Sequence, residues 1–179
     1  NAERIKDNIK NKVIDYNHKI KKNLKERFNQ TKLSVAQIDI LPKYIRNNLE
    51  KYSEYGRVVT DSITGLGSNS PLVGVLAALQ EMANEWLLCV PGDTPLLHKG
   101  WEVALLEAAK AHSILCAEER QRIQPLHLLL HISERKYLKA YLSEGNKSAI
   151  GFLNARKAKS VRFTNTEIFK NFNSAEDFT

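Results

Sequence analysis

Long apolar runs are absent from this sequence of 179 residues. No uninterrupted apolar stretch approaches the roughly 18 residues that cross a bilayer. The highly charged first 34 residues also lack the apolar centre of a secretory signal. We therefore expect no membrane association and a cytoplasmic location.

Cysteine is also scarce, with Cys89 and Cys116 as the two examples. Both lie in apolar stretches without metal-binding spacing, which is typical of small buried side chains in a reducing compartment. His127 and His131 share one face of a predicted strand, and we interpret both as structural side chains rather than metal ligands.

No glycine precedes Gly56, and this early part of the chain carries the whole excess of positive charge. Residues 1–57 contain 14 Lys or Arg and 7 Asp or Glu, whereas residues 58–179 contain 13 of each. We interpret residues 1–34 as a basic helical extension, either a docking helix or one strand of a coiled coil; nucleic-acid binding is not expected, because aromatic residues are not interleaved with the basic ones. The prediction of one long amphipathic helix over residues 3–30 comes from apolar positions three or four apart: Ile5, Ile9, Val13, Tyr16, Ile20, Leu24 and Phe28.

From about residue 35 the pattern changes to alternating strands and helices, which predicts one α/β domain over residues 35–179. This order is typical of a three-layer, Rossmann-like fold with a mainly parallel sheet. Strands are predicted over residues 35–41, 57–60, 86–90, 113–117, 126–131 and 160–163, and helices over residues 44–55, 71–84, 100–112, 134–143 and 147–157.

Two aspartates come shortly after the ends of predicted strands. Asp61 comes after Thr60, and Asp93 comes three residues after Val90. Ligands of open α/β sheets bind beyond the carboxyl ends of the strands, and Mg²⁺ takes oxygen ligands from one or two carboxylates plus substrate phosphates. The placement indicates a magnesium-assisted nucleotide site, although aspartate is also common in turns, so spacing alone does not decide.

The segments around these aspartates resemble the molybdenum cofactor guanylyltransferases over about residues 35–179. That family has V-x-x-D-S, G-P-L-x-G and E-W-x-x-x-x-P-x-D-T-P patterns in this order. The matching segments here are Val58-Val59-Thr60-Asp61-Ser62, Ser70-Pro71-Leu72-Val73-Gly74, and Glu85-Trp86 followed by Pro91-Gly92-Asp93-Thr94-Pro95. The agreement continues in Gln124-Pro125-Leu126, in Tyr141-Leu142 before Gly145, and in Phe169-x-Asn171-x-Asn173-Ser174.

The resemblance implies a magnesium-dependent enzyme of molybdenum cofactor biosynthesis that transfers GMP from GTP to molybdopterin. It implies that Asp93 is the catalytic residue and the Mg²⁺ ligand, and that Lys147 faces the molybdopterin phosphate. Molybdoenzymes or other cofactor-biosynthesis proteins are implied as further partners. The nucleotide contacts that it implies are Asp61, Pro71, Leu72, Gly74, Asp93, Asn171 and Asn173.

The chain departs from the family pattern in two places. The opening L-A-G-G-x-S-x-R-M-G loop does not occur in this sequence. The family's N-x-N-R segment reads Lys43-Tyr44-Ile45-Arg46 here, which keeps the arginine and lacks both asparagines. Because backbone N–H groups of such a loop cradle phosphates, we expect an N-terminally incomplete domain that binds GTP poorly and turns over slowly or not at all. Two alternatives stay open: a non-catalytic interaction domain that docks through its basic helix, or a cytidylyltransferase or sugar nucleotidyltransferase.

Overall fold

The computed structural model describes residues 33–38, 59, 64–66, 70–91, 94, 96–97 and 100–171. The helices predicted over residues 3–30 and 44–55 lie outside these residues, as does the strand predicted over residues 57–60 apart from Val59. Among the helices that are described, none combines the length and the apolar composition that a bilayer crossing requires.

The described residues form five strands and four α-helices, which confirms the predicted alternation. The strands are β1 (Leu33–Ile38), β2 (Trp86–Pro91), β3 (Ile114–Glu119), β4 (Arg122–His131) and β5 (Lys159–Phe163). The helices are α1 (Pro71–Glu81), α2 (Trp101–Ala108), α3 (Arg135–Ser143) and α4 (Ala149–Ala155). Short 3₁₀ turns occupy Ala109–Ala111, Ile132–Glu134 and Glu167–Phe169.

All five strands belong to one sheet, in the order β1-β2-β4-β3-β5. The pairs β1–β2 and β3–β5 are parallel, whereas β4 is antiparallel to both of its neighbours. Four strands therefore run in one direction and β4 alone runs against them within the described sheet. The predicted mainly parallel sheet is confirmed, and the reversed strand arises because β4 follows β3 through a two-residue hairpin at Arg120 and Gln121.

The core has two halves, one on each face of the sheet, because successive strand side chains point to opposite faces. Leu87 and Cys89 of β2 belong to the half that helices α1, α3 and α4 cover. Leu88 and Val90 belong to the other half, which α2 and the segment after β5 cover. Helices thus flank the sheet on both sides, as the predicted three-layer fold requires.

Both cysteines are fully buried in this core, as predicted. Burial raises the pKa of both thiols. The pKa of Cys116 is raised to about 11, by burial and by the negative charge of Glu118. Both side chains therefore stay protonated at neutral pH and act as small apolar groups.

Candidate functional site

The described candidate residues lie at one edge of the sheet, where β1, β2, β3 and β5 end. Only four residues, 82–85, join α1 to β2, so the end of α1 lies near the start of β2. Because α1 runs back along β2, its start lies near the end of that strand. Helix α3 begins just after β4 reaches the opposite edge, so it ends near Lys147 at the carboxyl edge. Asn171 follows β5, which ends at the same edge.

Strand β2 ends at Pro91 at this edge, and its last five residues are buried. Gly92 and Asp93 lie outside the described residues, whereas Thr94 is described and is 1% exposed. The hydroxyl Oγ1 of Thr94 donates a hydrogen bond of 3.2 Å to the carbonyl oxygen of Pro91. A side chain therefore ties the two residues that flank Gly92 and Asp93 in the sequence.

Thr94 also contacts His127, whose Nε2 lies 3.2 Å from the threonine Oγ1. The His127 ring is 2% exposed and packs edge-on against Trp101 and Phe169, with centroid distances of 5.8 and 4.9 Å. Burial lowers the pKa of His127 to about 3. The imidazole is therefore neutral at physiological pH, with one nitrogen that donates and one that accepts.

Helix α1 starts with a serine cap in place of the family's glycine. Ser70 has extended backbone angles and its Oγ accepts a hydrogen bond of 3.2 Å from the N–H of Leu72. Pro71 has no N–H, and the N–H of Val73 donates to the Ser70 carbonyl. The first backbone donors of α1 are thus used within the helix start, while Gly74 and Pro71 are half-buried.

The same serine ties α1 to the segment that carries Lys147. The hydroxyl of Ser70 donates a hydrogen bond of 2.8 Å to the carbonyl oxygen of Lys147, 77 residues away. One residue further along, the Tyr141 hydroxyl donates to the Ser148 carbonyl at 3.0 Å. The segment begins after Gly145, which ends α3 with φ of 86°. Hydrogen bonds therefore hold the carbonyls of Lys147 and Ser148, while Lys147 is exposed.

Replacing Ser70 by alanine should remove both bonds and destabilise the fold by about 1–2 kcal/mol, the usual cost of a lost helix cap and a lost buried hydrogen bond. Urea unfolding measures this, and Ser148→Ala is the matched control, because the Ser148 hydroxyl caps α4 through a bond from the N–H of Gly151. Amide exchange near Lys147 should accelerate in the Ser70 variant. An unchanged unfolding midpoint and unchanged exchange would show that this hydroxyl does not hold the two segments together.

The predicted asparagines follow an aromatic anchor. Phe169 is 4% exposed, ends a 3₁₀ turn and packs against His127. Asn171 follows two residues later and is exposed, whereas Asn173 lies outside the described residues. The segment that carries Asn171 is thereby fixed to the same buried cluster as Thr94.

The structure therefore brings the predicted residues together in two groups at one edge. Pro71, Leu72 and Gly74 lie beside the Lys147 segment, and Asn171 lies after the cluster that holds Thr94. Asp61, Asp93 and Asn173 lie outside the described residues, so their placement stays a prediction.

Ser70, Thr94 and His127 were not predicted to have a role at this edge. Two signals were available: the serine at a helix start, and Pro125 inside an apolar strand, which indicates an irregularity in the ladder just before His127. Their partners lie 77 and 33 residues away, and no local pattern reports contacts at such separations.

Known proteins share both this sequence pattern and this fold. The molybdenum cofactor guanylyltransferase of Serratia proteamaculans (strain 568) is 30% identical over 148 residues, which is 79% of this chain and 72% of that protein. The enzyme of the same name from Yersinia pestis (strain Pestoides F) is 31% identical over 143 residues, with the same coverage.

Two solved structures share the fold at low sequence identity. Molybdopterin-guanine dinucleotide biosynthesis protein A from Archaeoglobus fulgidus superimposes with a TM-score of 0.58 at 16% identity, over 88% of this chain and 80% of that one. The 4-diphosphocytidyl-2C-methyl-D-erythritol synthase from Anaerococcus prevotii DSM 20548 gives 0.57 at 15% identity, over 80% and 74%. The sequence model described as the MobA-like NTP transferase domain matches residues 30–159, most of the chain. With the motifs and the fold in agreement, this chain belongs to the MobA-like NTP transferase family.

Proposed function

We propose that this chain transfers GMP from GTP to molybdopterin. A phosphate oxygen of molybdopterin forms a bond to the α-phosphorus of GTP, the bond between the α-phosphorus and the bridging oxygen breaks, and pyrophosphate leaves with that electron pair. Family membership and the name shared by the relatives support this reaction. The observation that supports it most directly is that the start of α1, the Lys147 segment, Thr94 and Asn171 share one edge of the sheet.

Asp93 is proposed as the principal ligand of a magnesium ion, with Asp61, Asn171 and Asn173 nearby. Their carboxylate and amide oxygens are the donor type that Mg²⁺ prefers. When bound, the ion would offset the triphosphate charge and help pyrophosphate to leave. Within the described residues no group of three or more His, Cys, Asp or Glu could hold a metal. The assignment therefore rests on donor chemistry and on the position of Asp93 directly before Thr94.

The start of α1 is proposed to form the wall of the nucleotide pocket. Pro71 and Gly74 are half-buried and so retain surface that a ligand can contact. Leu72 is 1% exposed, and its N–H bonds to Ser70. We therefore assign Leu72 to the support of this wall rather than to the contact itself. Across the Ser70 bond, the exposed ammonium of Lys147 is available for a phosphate of molybdopterin.

Asp93→Ala should abolish the magnesium-dependent part of GTP binding, because the alanine offers the ion no oxygen. Isothermal titration of the full chain with GTP, with and without Mg²⁺, measures this increment. We expect the wild-type affinity to rise with Mg²⁺ and the variant affinity to be the same under both conditions.

The matched control is Glu107→Ala, which removes one exposed negative charge from α2, away from the proposed ligands. This variant should keep the full magnesium increment. CTP in place of GTP tests the base, and we expect weaker binding. An Asp93 variant that kept the increment, or a chain that preferred CTP, would count against guanylyl transfer by this site.

A further inference from the structure

Strand β4 leaves its pairing with β3 just where it approaches the end of β2. Leu128 pairs with Cys116, but the next residue of β3, Ala117, pairs with Gln124. Residues 125–127 of β4 therefore have no opposite residue on β3. Such a bulge redirects side chains out of their regular alternation, and a proline at position 125 is tolerated there because its missing N–H interrupts no ladder bond.

The bulge places its last residue, His127, beside the carboxyl end of β2. Leu128 lies opposite Cys89 in the antiparallel β2–β4 pair, so His127 is one residue nearer to Pro91. Its Nε2 reaches the hydroxyl of Thr94. The strand that runs against the others thus supplies a side chain that contacts Thr94, just beyond the end of β2.

The direction of each hydrogen bond in this arrangement follows from the atoms involved. The carbonyl of Pro91 can only accept, so the single hydroxyl hydrogen of Thr94 is directed to it. The hydroxyl oxygen then accepts from His127, which requires the proton of the neutral ring to sit on Nε2. The chain therefore runs from His127 Nε2–H to Thr94 Oγ1, and from the threonine O–H to the Pro91 carbonyl.

This hydrogen-bond chain has little freedom to rearrange. His127 and Thr94 are 2% and 1% exposed, so water does not compete for either partner. The ring is held edge-on by Trp101, with an interplanar angle of 82°, and by Phe169, with an angle of 78°. A buried donor without an acceptor is costly, so the ring and the hydroxyl keep each other in place.

We propose that His127, through Thr94, is a positioning residue that fixes the backbone on both sides of Asp93. Thr94 follows Asp93 in the chain and its side chain bonds to the carbonyl of Pro91, so the two described residues that precede and follow positions 92 and 93 are held together. The consequence for metal and nucleotide rests on the proposed function, whereas the hydrogen-bond chain itself does not. Small displacements of a reacting group reduce rates steeply, which is why such a tether is useful.

The first test needs no ligand. Long-range ¹H–¹⁵N spectra of the wild-type full chain at pH 7 report which nitrogen of His127 carries the proton. We expect Nε2–H. A proton on Nδ1 would overturn the proposal, because Nε2 could then only accept and the hydroxyl hydrogen could not reach Pro91.

The second test uses two matched pairs of variants. His127→Phe keeps an aromatic ring without a donor, and His127→Gln keeps an N–H donor; Thr94→Val keeps the shape without the hydroxyl, and Thr94→Ser keeps the hydroxyl. We expect the first of each pair to accelerate amide exchange at Asp93 and Thr94 by about tenfold or more, and the second to restore most of the protection. Equal exchange within both pairs would contradict the proposal. If Thr94→Val does not fold, the histidine pair decides alone.

The third test separates this proposal from the proposed function. The magnesium-dependent increment in GTP affinity should fall about tenfold in His127→Phe, while GTP affinity without Mg²⁺ stays the same. Uniform weakening under both conditions would indicate a merely structural role and would overturn the positioning role. If Asp93→Ala leaves the increment intact, the proposed function fails, yet the tautomer and the exchange data still judge the hydrogen-bond chain.

Discussion

The 179-residue chain, assayed by itself, should release pyrophosphate from GTP and molybdopterin about 10³-fold or more slowly than its guanylyltransferase relatives. Residues 1–55 contain no glycine, whereas a glycine-rich loop uses glycine to bring a run of backbone N–H groups close to phosphates. Loss of one preorganised donor typically costs about 10²–10³ in rate. A missing set of donors should cost at least as much.

A chimera measures this effect directly. Residues 1–34 are replaced by a segment that carries the family's L-A-G-G-x-S-x-R-M-G opening, and pyrophosphate release is followed in both chains at saturating Mg²⁺. We expect the chimera to gain at least about 10²-fold and the same chimera with Asp93→Ala to lose that gain. A full relative-like rate in the unaltered chain would show that its own N-terminal residues already hold the phosphates.

The sequence predicts the order of elements well, because burial imposes the same patterns on sequence and structure. The continuous apolar run after Glu85 predicts β2, which is covered on both faces, and the proline and serine before Leu72 predict the start of α1. Boundaries are predicted less well. Helix α1 ends at Glu81 instead of residue 84, because the next residue, Met82, has the extended angles φ −74° and ψ 145°.

The hairpin between β3 and β4 is the main element that the sequence does not reveal. Its two turn residues, Arg120 and Gln121, have φ of 44° and 66°, a conformation normally signalled by Asn-Gly or Asp-Gly. Without that signal, and with charged residues in the first part of β4, the sequence predicts this strand only from Leu126, whereas it begins at Arg122. This omission also hid the reversed direction of β4.

The candidate site is predicted in part for a related reason. The pattern of strands predicts that Asp61 and Asp93 lie beyond the carboxyl ends of strands, whereas the roles of Lys147 and of the start of α1 are implied by the family resemblance. Contacts between distant segments are not encoded locally, because many residue pairs could satisfy the same pattern. The Ser70–Lys147 and Thr94–His127 hydrogen bonds are of this kind, and they need the folded chain to be seen.

Arg156 and Glu134 form an ion pair in which Arg156 is the more exposed partner. Arg156→Met should nevertheless destabilise the fold at pH 7 by about 3 kcal/mol. Glu134→Gln should cost less, about 1–2 kcal/mol. Glu134 is 1% exposed and receives two bonds from Arg156, at 2.8 and 3.1 Å, and one from Ser113 at 2.7 Å. Removing the guanidinium leaves a buried negative charge with one donor. Removing the charge instead leaves an arginine that is 30% exposed, which water can solvate.

The difference between the two variants should depend on pH. Burial alone would raise the pKa of Glu134, but the bonds and charge of Arg156, with the bond from Ser113, hold it below the ordinary value of 4.5. The wild type therefore has the full stabilisation above pH 4.5 and loses it as the pH falls through the lower folded pKa. In Arg156→Met the burial effect should prevail, so the folded pKa rises above 4.5 and stability is lost as the pH rises from there.

Urea unfolding at pH 4 and pH 7 distinguishes this electrostatic effect from lost packing. The cost of Arg156→Met relative to the wild type should be larger at pH 7 than at pH 4. Tyr137→Leu is the packing control, because the guanidinium carbon of Arg156 lies 3.6 Å from the centroid of the Tyr137 ring, and its cost should be the same at both pH values. An equal cost of Arg156→Met at both pH values would mean that the arginine acts on Tyr137 and α3 through contact alone, and that solvent already satisfies the charge of Glu134.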